Sequence, residues 1–285
     1  SMSWNDALKS WGIRFDAEAM KVVLDDMIQD AGVHVMLHSW IAGVVMDGKR
    51  LAGVIVENKS GRQAIMGKVF IDATGDADVA HRAGAPTTYG RAFDGKPESM
   101  GSFLQLGNVP KVDDAQRKAI YDLICKEMDA GTFAFYNANF IAYQCAYHSN
   151  NTSANMTRFA GDPTSAADLT RGEISIRKNV WALVTFLRKN VPGFEDVYVV
   201  QTSPQIGPRE SRQIVGPYAL TGDDVRLGRR YDDAVARGSW WVDIHCPLGH
   251  TYPVHLCVKE CAKGADCPFW ASEHDHMFPR KDLYP

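Results

Sequence analysis

The sequence predicts a mixed α/β fold of the α+β kind, and two observations support that prediction. Val69–Asp72 has the apolar, β-branched character of a buried strand, and it stops at the small residues Ala73–Gly75 before a short helical pattern. Upstream, Ile41–Val45 and Leu51–Val56 are strand patterns joined by Asp47-Gly48-Lys49, a hairpin signal. Helix and strand patterns alternate along the chain, which is typical of mixed folds.

The N-terminal part of the chain is predicted to be a helix, a strand, a β-meander and a further strand. Asp16 is a suitable N-cap for a helix that ends at Gly32, because apolar residues recur at helical spacing between them. Val33–Leu37 follows as a strand, and the meander ends with Gln63–Met66. After the strand Val69–Asp72, the pattern from residue 78 to 84 indicates a short helix closed by glycine.

The rest of the chain continues this mixture of helices and strands. Amphipathic spacing predicts helices at Asp113–Ala130, at Asp168–Arg188 and within Asp223–Arg237. Strand patterns occur at Phe103–Val109, Val197–Gln201 and Ser239–His245. The aromatic stretch from residue 132 to 158 is interpreted as strands of a second sheet.

Changes in composition divide the chain into three segments. Residues 1–88 contain the helix, the meander and the strand that ends in the small-residue turn, whereas residues 89–245 begin with a polar stretch rich in glycine and proline. Residues 246–285 form an irregular tail rich in cysteine and histidine. We expect 1–88 and 89–245 to be separate domains, the second with a mixed or antiparallel sheet, and the tail to return toward the first.

Composition and charge narrow the class of protein. The chain has 285 residues, of which 45% are hydrophobic and 23% charged, as in ordinary globular proteins. A formal net charge of −3 offers no basic face for nucleic acid, and no apolar run reaches the roughly 20 residues of a membrane-spanning helix. Without a signal-peptide pattern, we expect a cytoplasmic protein whose six cysteines are thiols or ligands rather than disulfides.

The turn Ala73–Gly75, with Asp76 after it, has two interpretations. In an open α/β sheet, ligands bind outside the carboxyl ends of the strands, and small residues let the backbone approach a ligand closely. These residues are therefore candidates for a cofactor contact. A tight strand-to-helix turn without a ligand is the alternative, and the residues alone favour neither.

Two further groups of residues are candidates for catalysis. Arg209 and Arg212 surround Glu210 and would share a face if this segment were helical, so that one arginine holds a carboxylate substrate or the edge of a cofactor. The alternative is a buried Arg–Glu pair. Asp243 and His245 face one side of a predicted strand, and histidine titrates near neutral pH. His245 is thus either an acid or base or a packed histidine.

A small polar cluster follows an asparagine-rich turn. It consists of Asn155, Thr157 and Arg158. These side chains either line the same cleft as the candidate catalytic residues or stabilise a turn, which is the more common role of such clusters.

The C-terminal tail carries cysteines that are candidates for a metal site. They are Cys246, Cys257, Cys261 and Cys267, with His274 nearby. Thiolates in a short irregular segment suit zinc or an iron–sulfur cluster, although these spacings match no strict C-x-x-C pattern. Free thiols, or a disulfide formed during handling, are the alternatives.

Several blocks of sequence together resemble a known family. In chain order they are Val69–Gly84 (VFIDATGDADVAHRAG), Phe103–Val109 (FLQLGNV), Asn155–Arg158 (NMTR), Phe186–Glu195 (FLRKNVPGFE), Ile206–Gly216 (IGPRESRQIVG) and Asp243–His245 (DIH). Their types and order resemble the FAD-dependent oxidoreductases related to the glutathione-reductase and fumarate-reductase flavoproteins. The resemblance extends over roughly residues 15 to 247.

This resemblance implies hydride transfer between a small organic substrate and the flavin, with an electron-transfer partner in a second half-reaction. It implies that residues 1–88 are part of a Rossmann-like FAD-binding domain and that residues 89–245 are a substrate or cap domain. The residues expected against the adenosine half of FAD are Ile41, Ala73, Thr74, Gly75 and Asp76. The residues expected near the substrate are Arg209, Arg212 and His245.

The sequence also departs from this family, because it contains no G-x-G-x-x-G loop to hold the pyrophosphate of FAD. We therefore expect a fragment or an incomplete chain, or a protein that takes the missing parts from another subunit. An open sheet edge would favour a homodimer. The competing hypothesis is a non-catalytic binding or interaction protein that keeps the substrate-domain fold, with a zinc or iron–sulfur site in its tail.

These considerations predict that the purified chain binds FAD weakly or not at all, because its sequence lacks the glycine-rich loop. The visible absorption spectrum of the freshly purified protein measures this directly. Stoichiometric bound flavin would contradict the prediction. Metal analysis of the same preparation by mass spectrometry tests the cysteine-rich tail, and a folded preparation without metal would exclude zinc there.

Overall fold

The computed structural model describes residues 15–92, 94–135, 143–144, 150–235, 242–243 and 277–278. The chain divides into two compact units. The smaller unit is Phe15–Arg91 with Glu210–Ala219, and the larger contains Ala92–Arg209 and the described residues from Leu220 onward. Helices and several small antiparallel sheets make up these units, which confirms the predicted mixed α/β class.

The smaller unit contains two helices and five strands among the described residues. In chain order they are α1 (Ala17–Asp30), β1 (Trp40–Asp47), β2 (Arg50–Asn58), β3 (Gly61–Met66), α2 (Asp78–Arg82), β4 (Thr87–Tyr89) and, later in the chain, β9 (Arg212–Ile214). The predicted meander is confirmed as the antiparallel sheet β1-β2-β3. Asp16 caps α1 as predicted, since its Oδ1 accepts hydrogen bonds from the amides of Glu18 and Ala19.

The larger unit contains the remaining described elements. They are β5 (Leu104–Gly107), α3 (Asp114–Asp129), β6 (Tyr143–Gln144), β7 (Thr152–Ala154), α4 (Ala166–Asn190), β8 (Tyr198–Thr202), α5 (Gly222–Leu227), β10 (Val242–Asp243) and β11 (Met277–Phe278). Four strands form a sheet in the order β6-β7-β5-β8, and every neighbouring pair in it is antiparallel. An antiparallel sheet is one of the two arrangements that the sequence predicts for this part of the chain.

The core of the larger unit lies between α4 and this sheet. Every third or fourth residue of α4 is buried, namely Gly172, Ile176, Val180, Leu183, Val184 and Leu187. Leu104 and Leu106 of β5 belong to the same buried cluster. A methyl group on Gly172 would lie 2.6 Å from Ile206 Cδ1 and 2.9 Å from Phe159 Cδ1, so the absence of a side chain lets α4 pack closely against these two residues. The buried face of α4 therefore packs against the face of the sheet that carries Leu104 and Leu106.

Two predicted strands are wrong. Val33–Leu37 and Val69–Asp72 have no strand structure, and no described residues pair with them. A segment forms a strand only when a neighbouring segment accepts and donates its backbone hydrogen bonds, and these two segments have no such neighbour among the described residues. Most of their apolar side chains are also exposed. Val69 is 83% exposed and Ile71 is 90% exposed. The apolar pattern of these two segments therefore does not correspond to strands within the described residues.

The helix predicted within residues 223–237 is present as α5, and Gly228, in the left-handed conformation with φ of 62°, caps its C-terminal end. Ile206–Gly216 is not helical, because it contains an isolated bridge at Gly207 and the strand β9. Arg209 and Arg212 therefore do not share a helix face. Within the described ranges, no helix is long and apolar enough to cross a membrane.

The packing of α4 generates a matched pair of predictions. Leu183 is fully buried, so Leu183→Ala leaves a cavity and lowers the free energy of unfolding by about 2–5 kcal/mol. Trp181 lies on the same helix and is 65% exposed, so Trp181→Ala changes it by less than about 1 kcal/mol. Chemical denaturation followed by circular dichroism measures both. Equal effects of the two substitutions would contradict the packing of α4 described above.

Candidate functional site

The Asp72 carboxylate organises the small-residue turn of the smaller unit. Its Oδ1 accepts hydrogen bonds from the amide of Thr74 (3.1 Å) and from Thr74 Oγ1 (2.7 Å). Its Oδ2 accepts one from the amide of Ala80 in the first turn of α2 (2.9 Å). Thr74 Oγ1 in turn accepts from the amide of Asp78 (2.9 Å). The carboxylate thus joins the residue before the turn to the helix after it.

These contacts also affect the titration of Asp72. Burial raises the pKa of its carboxyl, but hydrogen bonds from the Ala80 amide and from Thr74 outweigh that effect, and the net result is a pKa below the usual range. The ionised form is the better acceptor, so the turn is most stable when Asp72 is charged.

The turn presents alternate residues to solvent. Ala73 and Gly75 are exposed, whereas Thr74 and Asp76 are partly buried and hydrogen-bonded within the unit. Gly75 has φ of +87°, which favours glycine, and no atom lies within 4 Å of the place where its Cβ would be. The backbone of Ala73 and Gly75 is therefore open to a ligand, while Thr74 and Asp76 hold it in place.

The segment that contains β9 supports this turn from outside. Ser211, which is buried, donates from Oγ to Asp76 Oδ1 (2.5 Å). Arg212 Nη1 donates to the Asp76 carbonyl (3.0 Å) and to Asp78 Oδ1 (3.1 Å), and its side chain is only 18% exposed. Arg82 also pairs with Asp78 (2.8 Å). Arg212 is thus fixed against the turn by charge-assisted hydrogen bonds.

Ile41 lies in the same unit, on the edge strand of the meander. It pairs with Val56, and the register shifts before Gly43, so that Ala42 is left out of the pairing. The helix α2, which follows the turn, contacts β1. The turn is thus followed by a helix that contacts the strand containing Ile41.

In the larger unit, Arg209 pairs with a residue far away in the chain. Its Nε lies 3.3 Å from Glu98 Oε1, and both side chains are mostly buried. The adjacent Glu210 has a different contact, since it accepts a hydrogen bond from Gln213. Arg209 therefore takes part in an Arg–Glu pair, with Glu98 as its carboxylate partner.

The predicted polar cluster is brought together at the start of the sheet in the larger unit. Arg158 Nη1 donates to Asn155 Oδ1 (2.9 Å) and to the Thr157 carbonyl (2.7 Å). Thr157 Oγ1 accepts from the Ser102 amide (2.7 Å) and donates to the Ser102 carbonyl (2.6 Å). The Thr157 hydroxyl therefore joins the segment after β7 to the segment before β5, and Asn155 orients Arg158.

Several residues of these two regions were not singled out from the sequence. They are Asp72 as the centre of the turn, Ser211 as its support, and Glu98 and Gly101 beside the polar cluster. Asp72 had a usable signal, because an aspartate two residues before a threonine is typical of an Asx or ST turn. Glu98 had none, since its partner Arg209 is more than a hundred residues away.

The remaining candidates lie outside the described residues. These are His245, the four tail cysteines Cys246, Cys257, Cys261 and Cys267, and His274. In the part of the chain that the structure describes, no group of three or more histidine, cysteine or acidic side chains is arranged to hold a metal ion. Cys125, in α3, is buried and is not part of a disulfide.

Comparison with known proteins gives one family. A family model described as "FAD dependent oxidoreductase" matches residues 2–263, which is most of the chain. Neither the curated proteins nor the solved structures that were searched contain a match.

The Asp72 network generates a prediction about stability and pH. Asp72→Asn retains one acceptor oxygen in place of two, so we expect the free energy of unfolding at neutral pH to fall by about 1–3 kcal/mol. Because the pKa of Asp72 is lowered in the folded protein, its stabilising contribution is present above about pH 4 and is lost as pH falls through the folded-state pKa. Chemical denaturation across the acid range measures both effects.

The matched control is Asp26→Asn, on the exposed surface of α1. It should change the free energy of unfolding by less than about 0.5 kcal/mol. The role given to the Asp72 carboxylate would be wrong if Asp72→Asn lowered the free energy of unfolding no more than Asp26→Asn does. It would also be wrong if the Asp72→Asn and Asp26→Asn proteins lost equal stability as the pH falls.

Proposed function

Because the chain belongs to the FAD-dependent oxidoreductase family, which acts on small molecules, we propose that it takes part in hydride transfer between a small organic substrate and FAD. We further propose that residues 1–88 contribute to the FAD-binding domain and residues 89–245 to the substrate domain. The observation that carries the proposal is the exposed turn of the smaller unit, whose backbone is open at Ala73 and Gly75.

The residues of this turn fit a cofactor of this kind. A Cβ at position 75 would have no heavy atom within 4 Å apart from its chain neighbours, which supports an open approach to the backbone of the turn. Thr74 and Asp76 form hydrogen bonds inside the unit, and in this proposal they stabilise the turn without contacting the ligand. We propose that Ala73, Gly75 and the backbone near Ile41 contact the adenosine half of FAD.

The flavin supplies the hydride acceptor when it is bound, and the protein supplies position, charge and protons. In this proposal Thr74, Asp76 and Arg212 act by fixing the turn, through the hydrogen bonds to Asp72, Ser211 and Asp78. Arg209, oriented by Glu98, holds the charge of a bound group. His245 is proposed to donate or accept a proton.

A second candidate function is supported by one observation, the absence of a G-x-G-x-x-G loop from this sequence. In that case the chain is a non-catalytic binding protein that keeps the family fold. Zinc or an iron–sulfur cluster held by Cys246, Cys257, Cys261 and Cys267 stays a prediction under either function. A homodimer, an electron-transfer partner and a cytoplasmic location also stay predictions.

Nucleotide binding by the full chain distinguishes the two functions. Contacts limited to the adenosine half predict weak, saturable binding of FAD that ADP displaces and riboflavin does not. Fluorescence titration with FAD, followed by competition, measures this. Gly75→Val places a branched side chain at a positive φ and in the open space over the turn, so it should weaken binding at least about tenfold.

Gly48→Val is the matched control, because Gly48 also has a positive φ with no atom near its Cβ position but lies in the β1–β2 hairpin. Both variants should lose similar stability, whereas only Gly75→Val should lose FAD. If the folded chain bound neither FAD nor ADP, the result would favour the non-catalytic function. If it bound riboflavin as well as FAD, the assignment of the turn to the adenosine half would be wrong.

A further inference from the structure

The tripeptide Asp-Gly-Lys occurs twice in the chain, at Asp47–Lys49 and at Asp94–Lys96. Among aspartyl sequences, Asp-Gly is the most prone to rearrange into isoaspartate, because glycine has no side chain to shield its amide nitrogen or to restrict its backbone. The two copies share this chemistry but lie in different backbone structures. They therefore show how the fold affects one reaction at two places in the same molecule.

The rearrangement needs water as its sole co-reactant. The glycine nitrogen attacks the carbon of the side-chain carboxyl group, a nitrogen–carbon bond forms, and the amide proton leaves with the carboxyl hydroxyl as water. The product is a five-membered succinimide ring. Water then cleaves one of the two carbonyl–nitrogen bonds of the ring. Cleavage at the side-chain carbonyl restores aspartate, and cleavage at the main-chain carbonyl gives isoaspartate, in which the backbone runs through the former side chain.

At the first copy, the β1–β2 hairpin fixes the backbone. Asp47 is the last residue of β1 and pairs with Arg50, the first residue of β2. Arg50 Nη2 also donates to Asp47 Oδ2 (2.9 Å). Closure of the succinimide ring requires the backbone at the aspartate to rotate out of the extended conformation. Asp47 must therefore leave the strand pairing before it can react.

At the second copy, the described residues from Asp94 to Lys96 belong to no helix or strand. The Lys96 amide donates to Asp94 Oδ1 (3.2 Å), an Asx turn that draws the carboxyl group over the Gly95 amide between them. Gly95 is exposed, and apart from its chain neighbours no heavy atom lies within 4 Å of its Cβ position. Both Asp94 and Asp47 have side-chain contacts that ring closure breaks, so the two sites differ mainly in their backbone pairing.

We propose that Asp94 is a site of spontaneous isoaspartate formation in the folded protein and that the hairpin protects Asp47. The product has an extra methylene group in the backbone and a free α-carboxylate beside the exposed Gly95. This carboxylate is the group that isoaspartyl methyltransferases methylate with S-adenosylmethionine. The change falls three residues after Arg91, where the chain leaves the smaller unit. The modification requires neither flavin nor the proposed function.

Prolonged incubation of the folded chain at physiological temperature, followed by digestion and mass spectrometry with electron-transfer fragmentation, measures isoaspartate at each site. We expect it to accumulate at Asp94 at least about tenfold faster than at Asp47, because the hairpin must open before Asp47 reacts. In denaturant the two Asp-Gly-Lys sequences should react at similar rates. Methyl transfer from S-adenosylmethionine by an isoaspartyl methyltransferase measures the product independently.

Gly95→Ala should slow isoaspartate formation at Asp94 severalfold, because a methyl group shields the attacking nitrogen. Gly48→Ala is the matched control and should leave the rate at Asp94 unchanged. Circular dichroism and chemical denaturation establish that each variant is folded. The proposal would be excluded if folded Asp94 reacted no faster than folded Asp47, or if the same difference between the sites persisted in denaturant. Equal rates at Asp94 in the Gly95→Ala and Gly48→Ala proteins would also exclude it.

Discussion

The interaction on which the smaller unit depends is the set of hydrogen bonds accepted by the Asp72 carboxylate. It joins the end of an extended segment to the first turn of α2, and the Thr74 hydroxyl extends the connection to Asp78. Arg212 and Ser211 then attach to the same loop through Asp76 and Asp78. A charged acceptor in a tight turn thus orders residues on either side of it and leaves the turn backbone exposed.

The larger unit depends instead on the absence of side chains. Gly172 lets α4 pack closely against Ile206 and Phe159, and Gly101 leaves room for the Thr157 carbonyl and the guanidinium of Arg158. Next to Gly101, side-chain hydroxyls take the place of backbone partners: the Thr157 hydroxyl bonds to the backbone of Ser102, and the Ser102 hydroxyl accepts from the amide of Ser203. A glycine in the helix and a glycine before β5 therefore each permit a close approach that a side chain would prevent.

Hydrophobic periodicity and capping residues predicted the elements whose structure depends on residues close in the sequence. The meander, the Asp16 cap and the long helix α4 follow from local spacing, and sequence reasoning predicted all of them. Strand predictions failed at Val69–Asp72, because a strand needs a neighbour that its own sequence does not encode. The partners of Arg209 and Arg212 were beyond sequence reasoning for the same reason, since Glu98 and Asp78 are distant in the chain.

The division of arginine partners has a consequence for how this protein can be dissected. Arg209 bonds within the larger unit and Arg212 within the smaller, so the chain passes from one unit to the other within a few residues. The smaller unit is discontinuous, with residues 92–209 inserted between its two pieces. A gene fragment ending at Arg91 would encode β4 without its partner β9, and the turn without Ser211 and Arg212. An autonomous version requires residues 210–219 to be rejoined by a short linker.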